Sequence, residues 1–281
     1  MMGGLMMVTL TAFADEISPD LDEQLATLAS ENIRYIELRG VWGTNVARLT
    51  DEELDGIEST LAERGFRLSC VGSPIGKIGI SDDFESHLSE FERVVKVAKR
   101  FEAHHIRIFS FFIPEGEDPL QYRDEVMSRL KRLVAIAEHH NVVLLHENEK
   151  HIYGDTAERC LDIMESCASP HLRMTFDPAN FVQCGVRPYT TAYPLLAPYI
   201  EYIHIKDARL ADGQVVPAGQ GDGEVAPFLE RMHAAGYDGF LSIEPHLASA
   251  GTFSGFSGPE LFKVASRALK TILADISMPW R

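Results

Sequence analysis

Short apolar runs that finish in hydrophilic residues recur along the chain. The clearest is Tyr202-Ile203-His204-Ile205-Lys206-Asp207, which begins as an apolar strand and ends in an imidazole, an ammonium and a carboxylate. Successive strand residues face opposite sides, so Tyr202, His204 and Lys206 share one face while Ile203 and Ile205 share the other. Leu145-His146-Glu147-Asn148-Glu149, Met174-Thr175-Phe176-Asp177 and Leu241-Ser242-Ile243-Glu244-Pro245-His246 close in the same way. The pattern predicts strands at residues 8–13, 35–38, 66–71, 106–111, 142–146 and 172–176, one at Tyr199, and the last at 239–243. Helical stretches separate them. Leu21, Leu25 and Leu28 form one apolar stripe after a Ser18-Pro19 cap, and Thr50 with Glu53 has capping-box spacing before a helix that reaches Arg64. Further helices are expected at 81–101, 118–140, 155–167, 192–197 and 225–235, with a final one capped by Ser257-Gly258-Pro259-Glu260 and running to 274. Eight strands alternating with helices over about 250 residues define an α/β fold, a (β/α)8 TIM barrel, which carries its active site at the C-terminal strand ends. An open doubly wound sheet would place phosphate-binding glycines after the first strand, where this chain has Phe13-Ala14-Asp15-Glu16.

The 281 residues and 45% hydrophobic content suffice for one large core, and residues 1–281 show no linker, low-complexity tract or charge block that would divide them, so a single domain is expected. A formal charge of −16, with no Lys/Arg run, argues against a nucleic-acid partner, whose affinity comes from basic residues releasing counterions. Cys70, Cys160, Cys167 and Cys184 are scattered without Cys-x-x-Cys spacing, as expected of reduced thiols. Met1 to Met7 lacks a basic flank, and no apolar run approaches the length of a membrane span. A cytoplasmic protein with no membrane partner is expected.

The rim chemistry concentrates on Glu147, Asp177, His204 and Glu244, one from the end of each of the last four strands. Singly, each reads equally well as a solvated strand-end group; four from consecutive strands at matching positions read as a metal set. Three carboxylates and one imidazole suit a single divalent ion, Mn²⁺ first, with Mg²⁺, Co²⁺ or Zn²⁺ as alternatives. Lys206 lies about 7 Å beyond His204 on the same strand face, where it can meet a substrate oxygen or stand in solvent. Glu149 and His246 sit two residues beyond Glu147 and Glu244 and can each hold a sugar hydroxyl or remain polar loop residues. Ser73 and Lys77, in the glycine-rich loop after the third strand, are open to the same two readings. The segment Gly219-Gln220-Gly221-Asp222-Gly223 resembles a phosphate loop but lacks its Lys-Ser/Thr ending, and turn chemistry explains its glycines equally well.

His146-Glu147-Asn148, Phe176-Asp177-Pro178-Ala179-Asn180, His204-Ile205-Lys206-Asp207 and residues 219–224 and 236–244 together resemble the xylose isomerase-like barrel superfamily, in its sugar phosphate isomerase/epimerase branch. In the ketose 3-epimerases of that group, the residues matching Glu147, Asp177, His204 and Glu244 hold one divalent ion, and the two glutamates are the catalytic acid and base. Asn180 stands where those enzymes carry a histidine, and Arg209 lies at a slightly different offset from their substrate-gripping arginine. The His204-x-Lys206-Asp207 ending is similar to that of inosose dehydratases. The resemblance implies a metal-dependent sugar or sugar phosphate isomerase/epimerase working through an enediolate, with a lyase acting on a keto-polyol or a non-catalytic sugar-binding barrel as alternatives. It also raises a homo-oligomer, in which Phe253-Ser254-Gly255-Phe256 covers a neighbour's site or its own.

Overall fold

A computed structural model describes residues 7–248 and 257–281; the expectations for residues 1–6 and for Phe253 to Phe256 lie outside them. Eight strands form one parallel sheet: β1 (Thr9–Ala12), β2 (Tyr35–Leu38), β3 (Arg67–Val71), β4 (His105–Ile108), β5 (Val143–Glu147), β6 (Leu172–Phe176), β7 (Ile200–Ile205) and β8 (Phe240–Ile243). The hydrogen-bonded order is β1-β8-β7-β6-β5-β4-β3-β2, and a parallel bridge from Phe13 to Glu37 joins the two ends into a barrel. The expected (β/α)8 barrel is therefore the fold. Among the described residues no helix is long and apolar enough to cross a membrane.

The helices around the barrel begin and end where the sequence has the right local chemistry. Thr50 and Glu53 make the reciprocal capping box that opens α2 (Asp51–Arg64), and Gly65 closes it at φ 69°. In α1 (Leu21–Ser30) the cap is Asp20, which accepts from the Glu23 amide, rather than the expected Ser18, whose hydroxyl instead accepts from the Asp20 amide. Asp83 caps α3 (Phe84–Arg100), which buries His87, Phe91, Val94, Val95 and Ala98 on one stripe. Burying a side chain such as Phe91, which is fully enclosed, contributes about 2 to 3 kcal/mol. The outer ring continues with α4 (Arg123–His140) and α5 (Ala157–Cys167) and closes with α8 (Val225–Ala234) and α9 (Gly258–Asp275). Between β6 and β7 the helices are short, among them α6 (Pro178–Gln183) and α7 (Tyr193–Leu196).

Inside the barrel the strand faces are unusually polar. Thr11 Oγ1 and Ser69 Oγ are 2.7 Å apart, and Ser69 Oγ lies 2.9 Å from the Tyr202 hydroxyl, so the layer beneath the rim is a hydrogen-bonded chain. The β2–β3 register shifts between Ile36 and Glu37, and the β6–β7 register shifts between Met174 and Thr175. Irregularities of this kind re-aim side chains; the first turns Glu37 towards β7 and β8, where it meets His204 and Ser242.

The fourth strand stops at Ile108, three residues short of expectation. Beyond it the Phe109 amide donates to the Ile75 carbonyl at 2.8 Å and the Phe111 amide to the Gly76 carbonyl at 3.0 Å, so the chain leaves the sheet to pair with the loop after β3. Gly76 sits at φ 88°, and a Cβ there would overlap the Phe109 carbonyl. Gly76→Ala should accordingly lower the unfolding free energy by about 3 kcal/mol, read as a fall in the urea midpoint at unchanged slope. An unchanged midpoint would contradict this close approach.

Candidate metal centre

Each of the four expected ligands is placed by its own strand end. Glu147 is the last residue of β5, His204 lies within β7, and Asp177 and Glu244 directly follow β6 and β8. Asp177 also caps α6, accepting from the Asn180 amide at 2.8 Å. All four are buried, and their ligand-capable atoms lie within 4.8 Å of one another. His204 Nδ1 is 3.2 Å from Glu147 Oε1, 3.6 Å from Glu244 Oε2 and 3.9 Å from Asp177 Oδ2.

These residues fit a divalent ion on their own chemistry. His204 Nδ1 is a buried atom without a hydrogen-bond partner among the described residues, and leaving such an atom unpaired costs about 1 to 3 kcal/mol; Asp177 Oδ2 meets only the Lys206 ammonium, as an ion pair. One ion held by an imidazole and carboxylates would satisfy that nitrogen, and the oxygen-rich set matches hard or borderline cations. No cysteine takes part: burial pushes the Cys167 and Cys184 thiols up to about 11 and about 12, and those of Cys70 and Cys160 well above the usual thiol range.

Glu37, an acid within the short apolar strand β2, orients the imidazole. His204 Nε2 donates to its carboxylate at 3.2 and 3.3 Å, and the Ser242 hydroxyl donates to it at 2.7 Å. With the Nε2 proton committed to Glu37, Nδ1 faces the other ligands. Burial opposes the imidazole's charge, but Glu147 and Glu37 keep it protonated well above the usual imidazole range. An ion would take the place of the Nδ1 proton, the arrangement by which a buried carboxylate fixes a metal-ligating histidine. The signal was present in Tyr35-Ile36-Glu37-Leu38: an acid in a short apolar strand is seldom buried without a partner.

Arg107, also unassigned from sequence, braces Glu147. Its Nη1 donates to Glu147 Oε2 at 3.1 Å, while Nη2 donates to the Gly72 and Ser73 carbonyls. Burial would raise the Glu147 carboxyl, but His204 and Arg107 hold it down at about 2. The Asn180 side-chain Nδ2 donates to Glu147 Oε1 at 3.1 Å and to the Asn148 carbonyl at 2.9 Å. Asn148 in turn exchanges two hydrogen bonds with the Asp177 backbone.

Lys206 lies among the ligands, its Nζ 2.9 Å from both Asp177 Oδ2 and Glu244 Oε2. Burial opposes its charge, yet Asp177 and Glu244 keep the ammonium well above the usual lysine range. Burial likewise pushes Asp177 up to about 7 against the pull of Lys206, whereas Glu244 falls well below the carboxylate range because Lys206, His246 and His204 outweigh its desolvation. His246 Nε2 is 3.1 Å from Glu16 Oε1 and 3.6 Å from Glu244 Oε1. Burial drives this imidazole down to about 3 and Glu16 up to about 8, so the two meet as neutral groups at neutral pH. Arg39, 3.4 Å from Glu244 Oε1 and 3.6 Å from Glu16 Oε1, already supplies positive charge to this second cluster.

Of the remaining expected residues, Glu149 is partly buried and pairs with Lys77 at 3.3 Å. Two are not brought to the cluster. Ser73 is fully buried and spends its hydroxyl on the Arg107 carbonyl, which fixes the loop behind the site. Arg209 is exposed and donates to the Gln214 side chain, because an antiparallel pairing of Asp207–Ala208 with Val215–Val216 carries it outward.

The barrel and its cluster of acids around one imidazole place the chain in a known class. It belongs to the xylose isomerase-like TIM barrel family, whose model matches residues 25–272. A 3-dehydroshikimate dehydratase from Bacillus anthracis is 23% identical over 175 residues, 61% of this chain and 62% of that protein; the match thus spans about three fifths of the relative's length. Among solved structures, a D-tagatose 3-epimerase-like protein superposes with a TM-score of 0.77 at 18% identity, covering 96% of this chain and 98% of the other. The IOLI protein with a bound zinc atom superposes at 0.74 with 17% identity, covering 96% and 98%.

Removing the Glu37 carboxylate should release the imidazole without touching a ligand. Glu37→Ala is expected to weaken Mn²⁺ binding about 10- to 100-fold with an unchanged circular dichroism spectrum, measured by isothermal titration. Wild-type affinity in a folded variant would show that Glu37 does not set the tautomer.

Proposed function

We propose that this protein is a divalent-metal-dependent isomerase or epimerase acting on a sugar, a sugar phosphate or a related keto-polyol. The observation that carries the reading is the placement of two ionised carboxylates, Glu147 and Glu244, in one buried cluster with His204 between them and separate cationic partners. A divalent ion held by Glu147, Asp177, His204 and Glu244 would supply a Lewis acid that makes the C–H beside a substrate carbonyl acidic. Mn²⁺ suits the donor set best, with Mg²⁺, Co²⁺ and Zn²⁺ as alternatives.

The chain's own groups then move the proton. Glu147, aimed by Arg107 and Asn180, accepts it from the substrate carbon. Glu244, held by Lys206 at 2.9 Å, returns from the other side a proton that it takes from solvent, and Glu147 gives up its own to solvent to complete the cycle. Return to the same carbon on its opposite face is epimerisation; return to the neighbouring carbon is isomerisation. The Lys206 ammonium also places positive charge where a substrate oxygen becomes negative, and Glu149 and His246 stand where hydroxyls need partners. A cytoplasmic enzyme, with a homo-oligomer left to light scattering, completes the reading.

A lyase is the second reading, favoured by the position of Lys206. An ammonium beside the reacting carbon can protonate a departing β-hydroxyl, and a curated relative is named a dehydratase. Incubating Mn²⁺-loaded protein with keto-sugars and keto-inositols separates the outcomes by mass: an isobaric product supports isomerisation or epimerisation, and loss of water supports the lyase. A non-catalytic sugar-binding barrel would promote no deuterium uptake from heavy water into any ligand. Glu147→Gln and Glu244→Gln should each slow that uptake by about 10² to 10⁴-fold. Wild-type uptake in both variants would remove the two carboxylates from the chemistry.

A further inference from the structure

The loop after β7 turns back on a carboxylate of the chain itself. Asp207 is fully buried, and the Gly219 and Gly221 amides donate to its Oδ2 at 2.9 and 3.0 Å, while the Gly223 and Ala208 amides donate to Oδ1, each at 2.8 Å. Four converging amides make a nest for one anion. A Cβ at residue 221 or 223 would overlap the carboxylate, which accounts for both glycines.

Two neighbours of this nest belong to the metal cluster. Lys206 is the single residue between Asp207 and Ile205, where β7 makes its last pairing with β8, so the direction of its side chain depends on how Asp207 is held. Asp177 is reached from the other side. It caps α6, a helix of six residues, far below the length at which a helix persists alone. The helix leans on the loop instead: Ala208 packs with Ala179 and Val182, a Cβ at residue 223 would lie 3.3 Å from the Pro178 Cβ, and Gln183 Nε2 donates to the Gly213 carbonyl at 2.9 Å.

The Lys206 ammonium and Asp177 Oδ2 meet at 2.9 Å. One partner precedes Asp207 in the chain, and the other caps the helix that the Asp207 loop backs. Asp207→Asn keeps the size of the side chain but not the nest, because an amide accepts through its one oxygen and turns an NH₂ towards the other pair of N–H groups. We infer that Asp207 is a positioning residue of the metal centre, whose carboxylate, by binding the loop amides, sets Lys206 and Asp177 against each other. The inference rests on the metal-dependent reading above and concerns a residue outside the ligand set.

The test measures two properties of the full chain: Mn²⁺ affinity by isothermal titration, and the rate at which acetic anhydride acetylates Lys206 before metal is added, read by mass spectrometry against the exposed Lys96. In Asp207→Asn, folded by circular dichroism, Mn²⁺ binding should weaken and Lys206 acetylation should accelerate, each by about 2- to 30-fold. Formate refills the nest of folded Asp207→Ala and should return both properties towards those of wild type in the same buffer. A side chain that only filled space would be replaced fully by Asp207→Asn and would leave formate without effect. Where Asp207→Ala does not fold, Asp207→Asn decides. An unchanged value of either property in Asp207→Asn, failure of that variant to fold, or a folded Asp207→Ala indifferent to formate would overturn the inference. A wild type that takes up no Mn²⁺ would sink the metal-dependent reading, and acetylation would then decide this one alone. Mn²⁺ uptake by the wild type with acetylation unchanged in the variants would do the reverse.

Discussion

Three carboxylates gathered around one imidazole, all buried and with ligand atoms within 4.8 Å of one another, repel each other strongly unless positive charge joins them. Much of the rim is organised around that constraint. Arg107 reaches in from β4 to Glu147, Lys206 bridges Asp177 and Glu244, and Arg39 crosses from the end of β2 to Glu244 and Asp15. A divalent ion is the remaining positive charge that this donor set accommodates. The polarity of the barrel interior follows from the same constraint, because a ligand set this acidic needs an oriented imidazole. Orientation comes from Glu37, which is itself satisfied by Ser242 on β8, two strands away.

Rigidity around the cluster has a local cause at each strand end. Asp177 serves both as a candidate ligand and as the cap of α6, so moving it would also unmake a helix terminus. Asn148 and Asn180 link the ends of β5 and β6 through backbone groups. Glu16 accepts from the His246 amide and the Ser257 hydroxyl, tying the first strand's loop to the segment beyond β8. Such a site is preorganised by groups that make no contact with the ligand position, as electrostatic stabilisation of a developing charge demands.

Much of this was legible in the sequence, for reasons that differ by residue. Period-two alternation placed His204 and Lys206 on one face, and the recurrence of hydrophilic tips on successive strands brought Glu147, Asp177 and Glu244 to the same rim. Local chemistry also located the Thr50 capping box. Glu37, Arg39 and Arg107 were not assigned because their partners lie 167, 205 and 40 residues away, and no local pattern specifies such pairing. Ser73 and Arg209 had the right chemistry in the right loops, but burial of one and the outward course of a two-stranded ribbon for the other decide where their polar atoms go. The glycines at 219, 221 and 223 read equally as a phosphate loop or a turn until the Asp207 carboxylate among their amides explained them.

The central claim is that Glu147, Asp177, His204 and Glu244 share one ion, and the most direct measurement is the metal content of purified protein supplied with Mn²⁺, wild type against Asp177→Ala, with folding checked by circular dichroism. The account predicts close to one divalent ion per wild-type chain and a marked loss in a variant whose barrel stays folded, since the apolar layers beneath the rim carry the stability. Two folded proteins with equal metal content would show that Asp177 is no ligand. A wild type that takes up no divalent ion at all would contradict the account as a whole.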